Sequence, residues 1–292
     1  MNRSLRPVAV WLPSSSWRGS EDDVVRAIPE LEALGYGAVW LGGADAALGL
    51  PRALLRASDR MVVATGIVNI WTCGSATVAA RCHQLLARYP GRFFLGIGSG
   101  HRVRLEQAGL PYRPVLPGLN SYLDRLDEAG IPTACRLVAA LGPRLLALAA
   151  QRSAGAHPFL VTPAHTALAR SVIGAAALLI PEQAVVLEEN ASKARQIARN
   201  GIAHLLELAN YRNSLLRQGF TLEQIEHGGS DQLIDGLVAW GNLEQISQRV
   251  TAHLEAGADQ VALHVIAERP GPPVAEWRAL GALIALTSRN ED

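Results

Sequence analysis

Short apolar runs rich in β-branched and aromatic residues alternate with segments of helical spacing along almost the entire chain. About eight such runs can be counted, each followed by a helix-like segment: residues 8–12, 38–41, 61–68, 93–97, 136–141, 156–161, 184–188 and 259–265. Strands that alternate with helices favour a parallel sheet covered by helices. Eight units within 292 residues predict an α/β protein with a closed (β/α)₈ TIM barrel, and an open doubly wound sheet is the alternative.

No linker and no change in composition interrupts this alternation. We therefore expect one domain that spans residues 1–292, with a mostly helical excursion at about residues 207–240. Inside the excursion, Thr221 and Gln224 have the spacing of a capping box. Because ligands of a TIM barrel bind at the carboxyl ends of its strands, the residues that follow each predicted strand are the candidates for a functional site.

The charge balance and the cysteine content exclude several classes of protein. The chain has 27 Lys and Arg against 26 Asp and Glu, so no basic surface for nucleic acid or for an anionic membrane is indicated. Cys73, Cys82 and Cys135 lack the spacing of metal or redox sites, and their odd number argues against a disulfide framework. The apolar run near the N-terminus is too short for a signal peptide, and no stretch approaches the roughly 18 apolar residues of a membrane span. We expect a cytoplasmic protein whose partner is a small-molecule substrate.

The most informative stretch reads RFFLGIGSGH and covers residues 92–101. Its apolar run predicts a strand buried on both faces, and the three alternating glycines allow the backbone to turn tightly and to approach a flat or charged ligand. A Rossmann fingerprint is not matched, because His101 stands where the third glycine of G-x-G-x-x-G belongs. Imidazole titrates near physiological pH, so His101 is the candidate for proton transfer. The alternatives are a supporting hydrogen bond from His101 and glycines that serve only a tight turn.

The other predicted strand ends are largely apolar and aromatic. Such a surface suits a broad, flat, uncharged ring system better than a metal ion or a sugar. The residues that we assign to the substrate pocket are Trp11, Gly42, Gly43 and Trp71. Neither the H-E-x-x-H pattern of zinc hydrolases nor the G-x-S-x-G pattern of serine hydrolases is present. His157 is interpreted as a structural residue, whereas the role of His264 stays open.

Two later strand ends have features of a phosphate site. Gly142 ends a predicted strand, Pro143 begins the next helix, and Arg144 adds a positive charge. Free backbone N–H groups at a helix N-terminus attract phosphate, and the helix dipole strengthens the attraction. Thr162, which follows Leu160 at the next strand end, can offer its hydroxyl to the same phosphate or serve only as an N-cap.

The chain resembles the luciferase-like flavin and deazaflavin oxidoreductases, and within them the class of probable coenzyme F420-dependent enzymes. The matching stretches cover the chain in order. They are ELEALGYGAVWLG (30–42), VVATGIVNIW (62–71), YPGRFFLGIGSGH (89–101), LVAALGPRLLALAAQRSAGAHPFLVTPAHTALAR (137–170), PEQAVVLE (181–188), NYRNSLLRQGF (210–220), GGSDQLIDGLVAWG (228–241) and HLEAGADQVALHV (253–265).

The resemblance implies a TIM barrel in which hydride moves between F420 and a small organic substrate, either by reduction of C=C or C=N or by oxidation of an alcohol. It also implies a bulge in the third strand, with a non-proline cis peptide bond at Gly66–Ile67 that backs the cofactor ring. The cofactor-binding residues that it implies are Gly66, Ile67, Asn69, Gly98, Ser99, Gly142, Pro143, Arg144, Leu160 and Thr162. An FMN-dependent luciferase-like monooxygenase is the alternative, and a homodimer is expected in either case.

Two departures from the family pattern bear on activity. His101 occupies a position where related dehydrogenases carry a Glu as acid or base, so proton transfer is retained with a group of different charge. Gly42 and Gly43 stand where some relatives carry an Asp-His pair that contacts the deazaflavin and the substrate. For this reason a cofactor-free barrel that serves as a binding or assembly partner is the alternative from another functional class.

Overall fold

The computed structural model describes residues 5–107, 109–111 and 113–287. The strands are β1 Val8–Leu12, β2 Ala38–Leu41, β3 Val62–Thr65, β4 Val68–Asn69, β5 Phe93–Gly98, β6 Arg136–Val138, β7 Gly155–Ala156, β8 Leu178–Leu179, β9 Glu182–Val186, β10 Val238–Trp240 and β11 Val261–Val265. The α-helices are α1 Ser14–Trp17, α2 Glu21–Leu34, α3 Gly49–Arg56, α4 Ser75–Arg88, α5 Arg102–Gln107, α6 Val115–Glu128, α7 Pro143–Arg152, α8 Pro163–Ile173, α9 Ala191–Leu206, α10 Ala209–Arg217, α11 Leu222–Ile225, α12 Asp231–Leu237, α13 Leu243–Glu255 and α14 Val274–Thr287.

The strands pair in parallel and the sheet closes on itself. The hydrogen-bonded order is β10-β9-β11-β1-β2-β3-β5-β6-β7-β8, and β4 also pairs with β5. Only Ile180 and Pro181 separate β8 from β9, so these two strands share one strand position, which closes the ring between β7 and β11 and leaves β10 as an addition to β9. The Ile180 N–H donates to the carbonyl of Ala156 in β7, and the Ala262 N–H donates to the carbonyl of Pro181, each over 3.0 Å. A ring of eight strand positions results, so the predicted TIM barrel is confirmed.

The third strand position contains a bulge that brings the backbone from Gly66 to Asn69 into the mouth of the barrel. Ala64 pairs with Phe94 but Val68 pairs with Ile97, so the third strand has one more residue than β5 over this stretch. The peptide bond between Gly66 and Ile67 is cis, as the resemblance implies. Gly66, Ile67 and Asn69 stay half-buried in a region whose neighbours are buried.

The barrel interior is built from alternate residues of the strands, because side chains of a strand point to opposite faces in turn. The apolar residues of this interior are Ala9, Trp11, Ala38, Trp40, Ala64, Leu137, Ile180 and Ala262. The intervening residues, such as Val10 and Leu263, pack against the surrounding helices. Continuing the same alternation places Glu182 and His264 inside the barrel, one step nearer its carboxyl end.

Several elements differ from the sequence-based expectations. The predicted strands 136–141 and 156–161 end earlier, at Val138 and Ala156, because the chain turns there into the loops before α7 and α8. The helical excursion ends in β10, an unpredicted short strand that pairs with β9. The capping box at Thr221 and Gln224 is present. In the described ranges, no helix combines the length and apolar character that crossing a membrane requires.

Candidate active site

One wall of the barrel mouth consists of the bulge and the end of β5. Gly98 is buried, and a Cβ there would lie 3.0 Å from both Ile67 and Ala139, so the glycine allows the bulge to pack directly on β5. Beyond Gly98, the half-buried residues Ser99 and His101 continue this wall. The structure therefore brings together the ring-binding residues implied by the resemblance, although Gly98 contributes close packing rather than surface.

Trp11 covers the end of β2. A Cβ on Gly42 would lie 2.6 Å from Cζ2 and 2.7 Å from Cη2 of the Trp11 indole, so this orientation of the ring requires a glycine. Trp11 itself is only 7% exposed, whereas Gly43 is exposed and has a φ of 67°. The departure at Gly42 and Gly43 thus leaves no gap, because an aromatic floor takes that space.

Aromatic rings extend from this floor across the mouth. The ring centroid of Trp11 lies 4.6 Å from that of His264 and 4.8 Å from that of Phe159. Phe159 lies 6.1 Å from Tyr211, which lies 5.5 Å from His101. β5 and β11 are four positions apart in the ring of eight, so His101 and His264 occupy opposite walls. The apolar, aromatic mouth that the sequence predicts is present, and rings form its base.

A buried hydrogen bond between a glutamate and a histidine lies beside this floor. The Glu182 carboxylate is 1% exposed, and its Oε1 lies 2.8 Å from Nδ1 of His264. Its Oε2 accepts a hydrogen bond of 3.0 Å from the backbone N–H of Leu160. The sequence analysis missed Glu182 because it began this strand at residue 184. The signal was present, since Glu182 lies two residues before Ala184 and so shares its face of the strand.

His157 is buried, in keeping with the structural role that the sequence predicts. Its ring stacks on Trp40 with a centroid distance of 4.5 Å, and its Nδ1 lies 2.6 Å from the carbonyl of Ile180. Burial lowers the pKa of His157 to about 4, so the ring is neutral near pH 7 and Nδ1 donates this bond. Within the described part of the chain, Nε2 of His157 and Nε1 of Trp11 have no hydrogen-bond partner, and both point toward Gly66.

The N-terminus of α7 is an open position for an anion. Gly142 is the N-cap residue, so no side chain caps the helix N–H groups, and Pro143 is the first helical residue. A Cβ on Gly142 would meet nothing nearer than Nη2 of Arg217, at 3.7 Å. Arg144 and Arg217 are both exposed. The sequence analysis missed Arg217, because it lies in α10 and only the tertiary structure brings it to this helix end.

At the neighbouring N-terminus of α8, the hydrogen-bonding groups of Thr162 already bind other residues of the protein. The hydroxyl and the backbone N–H of Thr162 both donate to Oε1 of Gln218 over 3.0 Å, and the hydroxyl accepts from the N–H of His165. The N–H of Leu160 is bound to Glu182. Thr162 and Leu160 therefore bond to the protein itself, which leaves the α7 terminus as the better anion position.

His165 holds the two helix ends together. Its Nε2 lies 2.9 Å from the carbonyl of Leu141, which precedes Gly142. Burial lowers the pKa of His165, and the positive charge of Arg217 acts in the same direction. His165 is therefore neutral near pH 7, and it positions α8 without adding charge to the site.

Trp71 lies between the bulge and α6. Its ring contacts Gly118 of α6, where a Cβ would overlap the indole, and its backbone N–H donates to Oδ1 of Asn69 over 2.9 Å. Among the residues that the structure describes, no group of three or more His, Cys, Asp or Glu side chains is arranged to hold a metal ion.

The sequence matches no family model and no curated protein, but the fold matches solved structures over nearly its full length. A coenzyme F420-dependent tetrahydromethanopterin reductase from Methanopyrus kandleri matches with a TM-score of 0.78 and 14% identity, over 98% of this chain and 99% of that chain. An F420-dependent secondary alcohol dehydrogenase, in complex with an F420-acetone adduct, matches with a TM-score of 0.74 and 13% identity, over 96% of this chain and 98% of that chain.

An oxygenating constituent of 3,6-diketocamphane monooxygenase from Pseudomonas putida, in complex with FMN, also matches. It gives a TM-score of 0.68 and 13% identity, over 96% of this chain and 97% of that chain. The chain thus has the fold shared by these F420-dependent and luciferase-like FMN enzymes, as the sequence resemblance predicts.

Proposed function

We propose that this chain is an oxidoreductase that transfers hydride between F420 and a small organic substrate at the mouth of the barrel. One juxtaposition carries the proposal. The bulge with its half-buried residues Gly66, Ile67 and Asn69 lies at the same barrel mouth as the helix end at Gly142, which has no side-chain cap and lies beside the Arg217 guanidinium. A flat ring with a phosphate-bearing tail needs these two features together.

The residues present fit such a cofactor. Gly66, Ile67 and Asn69 would contact the face of the ring, with Ser99 at its edge, and Gly142, Arg144 and Arg217 would hold the phosphate. When bound, a deazaflavin supplies the carbon that accepts or donates the hydride. The aromatic base around Trp11 would exclude water from the reacting atoms.

The proton that accompanies the hydride needs an acid or base in the mouth. His101 is half-buried on the wall after β5, and its ring centroid lies 5.5 Å from that of Tyr211. We assign to His101 the transfer of this proton when the substrate is reduced at C=C or C=N, to the substrate atom that does not receive the hydride. Imidazole is suited to that task because its ordinary pKa of about 6.5 lies near physiological pH.

Titration of the purified protein with F420 and, separately, with FMN tests the proposal by the fluorescence of each cofactor. We expect saturable binding of F420. Binding of FMN alone would replace the proposal with an FMN-dependent luciferase-like monooxygenase, the type of enzyme represented by the FMN complex described above. Binding of neither would favour a cofactor-free barrel that acts as a binding or assembly partner.

Removing the charge of Arg217 should weaken cofactor binding without harming the fold. We expect Arg217→Met to raise the Kd for F420 about tenfold, the effect of losing one charge-assisted contact at an exposed site. Arg88→Met is the matched control, because Arg88 is also an exposed arginine in the last turn of a helix, α4. Helices of this fold run opposite to the strands, so Arg88 lies at the far end of the barrel. Equal effects of the two substitutions on Kd would rule out a phosphate site at Gly142.

The homodimer implied by the resemblance stays a prediction. Sedimentation equilibrium of the purified chain measures it directly, and a mass that stays near 31.1 kDa at all concentrations would contradict it.

A further inference from the structure

The Glu182–His264 pair has the hydrogen-bond pattern of an oriented base. Oε2 of Glu182 is fixed by the Leu160 N–H, a donor that cannot change its role, and Oε1 faces Nδ1 of His264 at 2.8 Å. A carboxylate only accepts, so the neutral imidazole carries its proton on Nδ1. Its Nε2 is then left as an acceptor.

The backbone at Leu160 supplies the second hydrogen bond to the Glu182 carboxylate. Leu160 has a φ of 57°, a left-handed conformation that is unfavourable for a residue with a side chain, and this conformation accompanies the N–H bond to Glu182. Burying a carboxylate is unfavourable unless both oxygens are paired. Here the Leu160 N–H pairs with Oε2 of Glu182 and Nδ1 of His264 pairs with Oε1, so both oxygens have a partner.

The free nitrogen of His264 is accessible from the mouth. The His264 side chain keeps 11% of its surface exposed. Among the described residues, Nε2 of His157 is fully enclosed without a hydrogen-bond partner, whereas Nε2 of His264 is not. The ring also lies 4.6 Å from Trp11 and 5.9 Å from Phe159, so an apolar substrate carbon can pack beside it.

We propose that His264, oriented by Glu182, is the base that takes the hydroxyl proton of a small alcohol, a role that rests on the proposed hydride chemistry. Nε2 would take the O–H proton of the alcohol, and oxidised F420, when bound, would supply the acceptor for the C–H hydrogen and its electron pair. The former O–H electron pair forms the C=O bond, and Glu182 stabilises the resulting imidazolium. In the reverse direction the imidazolium returns this proton to the carbonyl oxygen. Glu182 is a positioning residue, and His264 is the catalytic residue.

The orientation is tested without any cofactor. In Glu182→Gln, the amide oxygen must face the Leu160 N–H, so the amide NH₂ faces Nδ1 of His264. We therefore expect ¹⁵N NMR of the imidazole to show the proton on Nδ1 in the wild-type protein and on Nε2 in the variant, with the signals assigned by their loss in His264→Ala. Glu188→Gln is the matched control and should leave the tautomer unchanged, because Glu188 pairs with Lys193 instead. An unchanged tautomer in Glu182→Gln would overturn the orienting role.

The chemistry is tested with oxidised F420 and with isopropanol, cyclohexanol and benzyl alcohol as probes. We expect His264→Ala to lower kcat about hundredfold with an unchanged Kd for F420, and added imidazole to restore part of the rate. Glu182→Gln should lower kcat at least tenfold, and Glu188→Gln should not change it.

The outcomes separate this inference from the proposed function. Failure of the wild-type protein to bind F420 would refute the proposed function and the inference together. Binding of F420 without oxidation of any of the three alcohols would overturn the inference alone. Wild-type kcat in His264→Ala would do the same.

Discussion

Gly96→Ala should lower the free energy of unfolding by about 3 kcal/mol or more, because the close approach of two barrel strands leaves no room for a side chain. A Cβ on Gly96 would fall inside the van der Waals contact distance of the Thr65 carbonyl oxygen. That oxygen belongs to the backbone next to the bulge, and the Thr65 hydroxyl also donates to the Gly96 carbonyl over 2.8 Å. The two strands would have to separate. Urea unfolding followed by circular dichroism measures the change.

Gly49→Ala is the control for this prediction. Gly49 begins α3, a Cβ there meets nothing within 4 Å, and its φ is not in the left-handed region. Alanine in a helix should leave the stability unchanged or raise it slightly. The fraction of Gly96→Ala that remains folded should also bind F420 more weakly, because the bulge carries the backbone wall. Equal stability of the two variants would contradict the close packing of β3 on β5.

Mild acid should destabilise the protein strongly through histidines that are buried in the neutral form. Burial lowers the pKa of His157 to about 4 and that of His253 to about 3, from an ordinary value of 6.5. Between pH 6.5 and 4 the unfolded chain binds a proton at each of these residues and the folded chain does not. Their contribution to stability is therefore complete above pH 6.5 and is lost as the pH falls. Each of these two residues lowers the free energy of unfolding by about 3 kcal/mol between pH 6.5 and 4. His165, whose pKa is also lowered, adds to this loss of stability.

The measurement is the free energy of unfolding at several pH values from 7 to 4. We expect a slope of at least about 2.7 kcal/mol per pH unit near pH 5, which corresponds to two protons. His253→Gln should remove about one proton from the slope, and its amide can still bond to Gln183 or Thr166, the partners of His253. A substitution that only weakens packing would lower the whole curve and leave the slope unchanged. An unchanged slope in His253→Gln would therefore contradict the assignment.

Much of the fold could be predicted from the sequence, because the helices and strands follow the local period of apolar residues. Strand β1, for example, is predicted with its observed bounds, since its run of apolar residues is short and is ended by Pro13. The sequence could not place β8 or β10. These strands have two and three residues, and their hydrogen bonds depend on which edges of β7 and β9 come near them.

The candidate site was readable only in part. The glycines around residue 98 indicated close backbone approach, and the structure has it, although Gly98 and Gly96 serve strand packing. Arg217 could not be found, because its relation to Gly142 links residues that are 75 positions apart in the chain. Glu182 was missed for a different reason, since a residue at a strand start shows its partner only once the register with β11 is known.

By itself the sequence determined the order and type of most elements, the class of barrel and the glycine-rich, aromatic character of its mouth. These properties follow from the period of apolar residues and from the conformations that glycine and proline permit. The tertiary structure alone decided which side chains share an environment: Trp11 over Gly42, Glu182 on His264, and Arg217 beside Gly142. Ring closure brings distant segments together, and the donor, acceptor or charge facing a group then determines its chemistry.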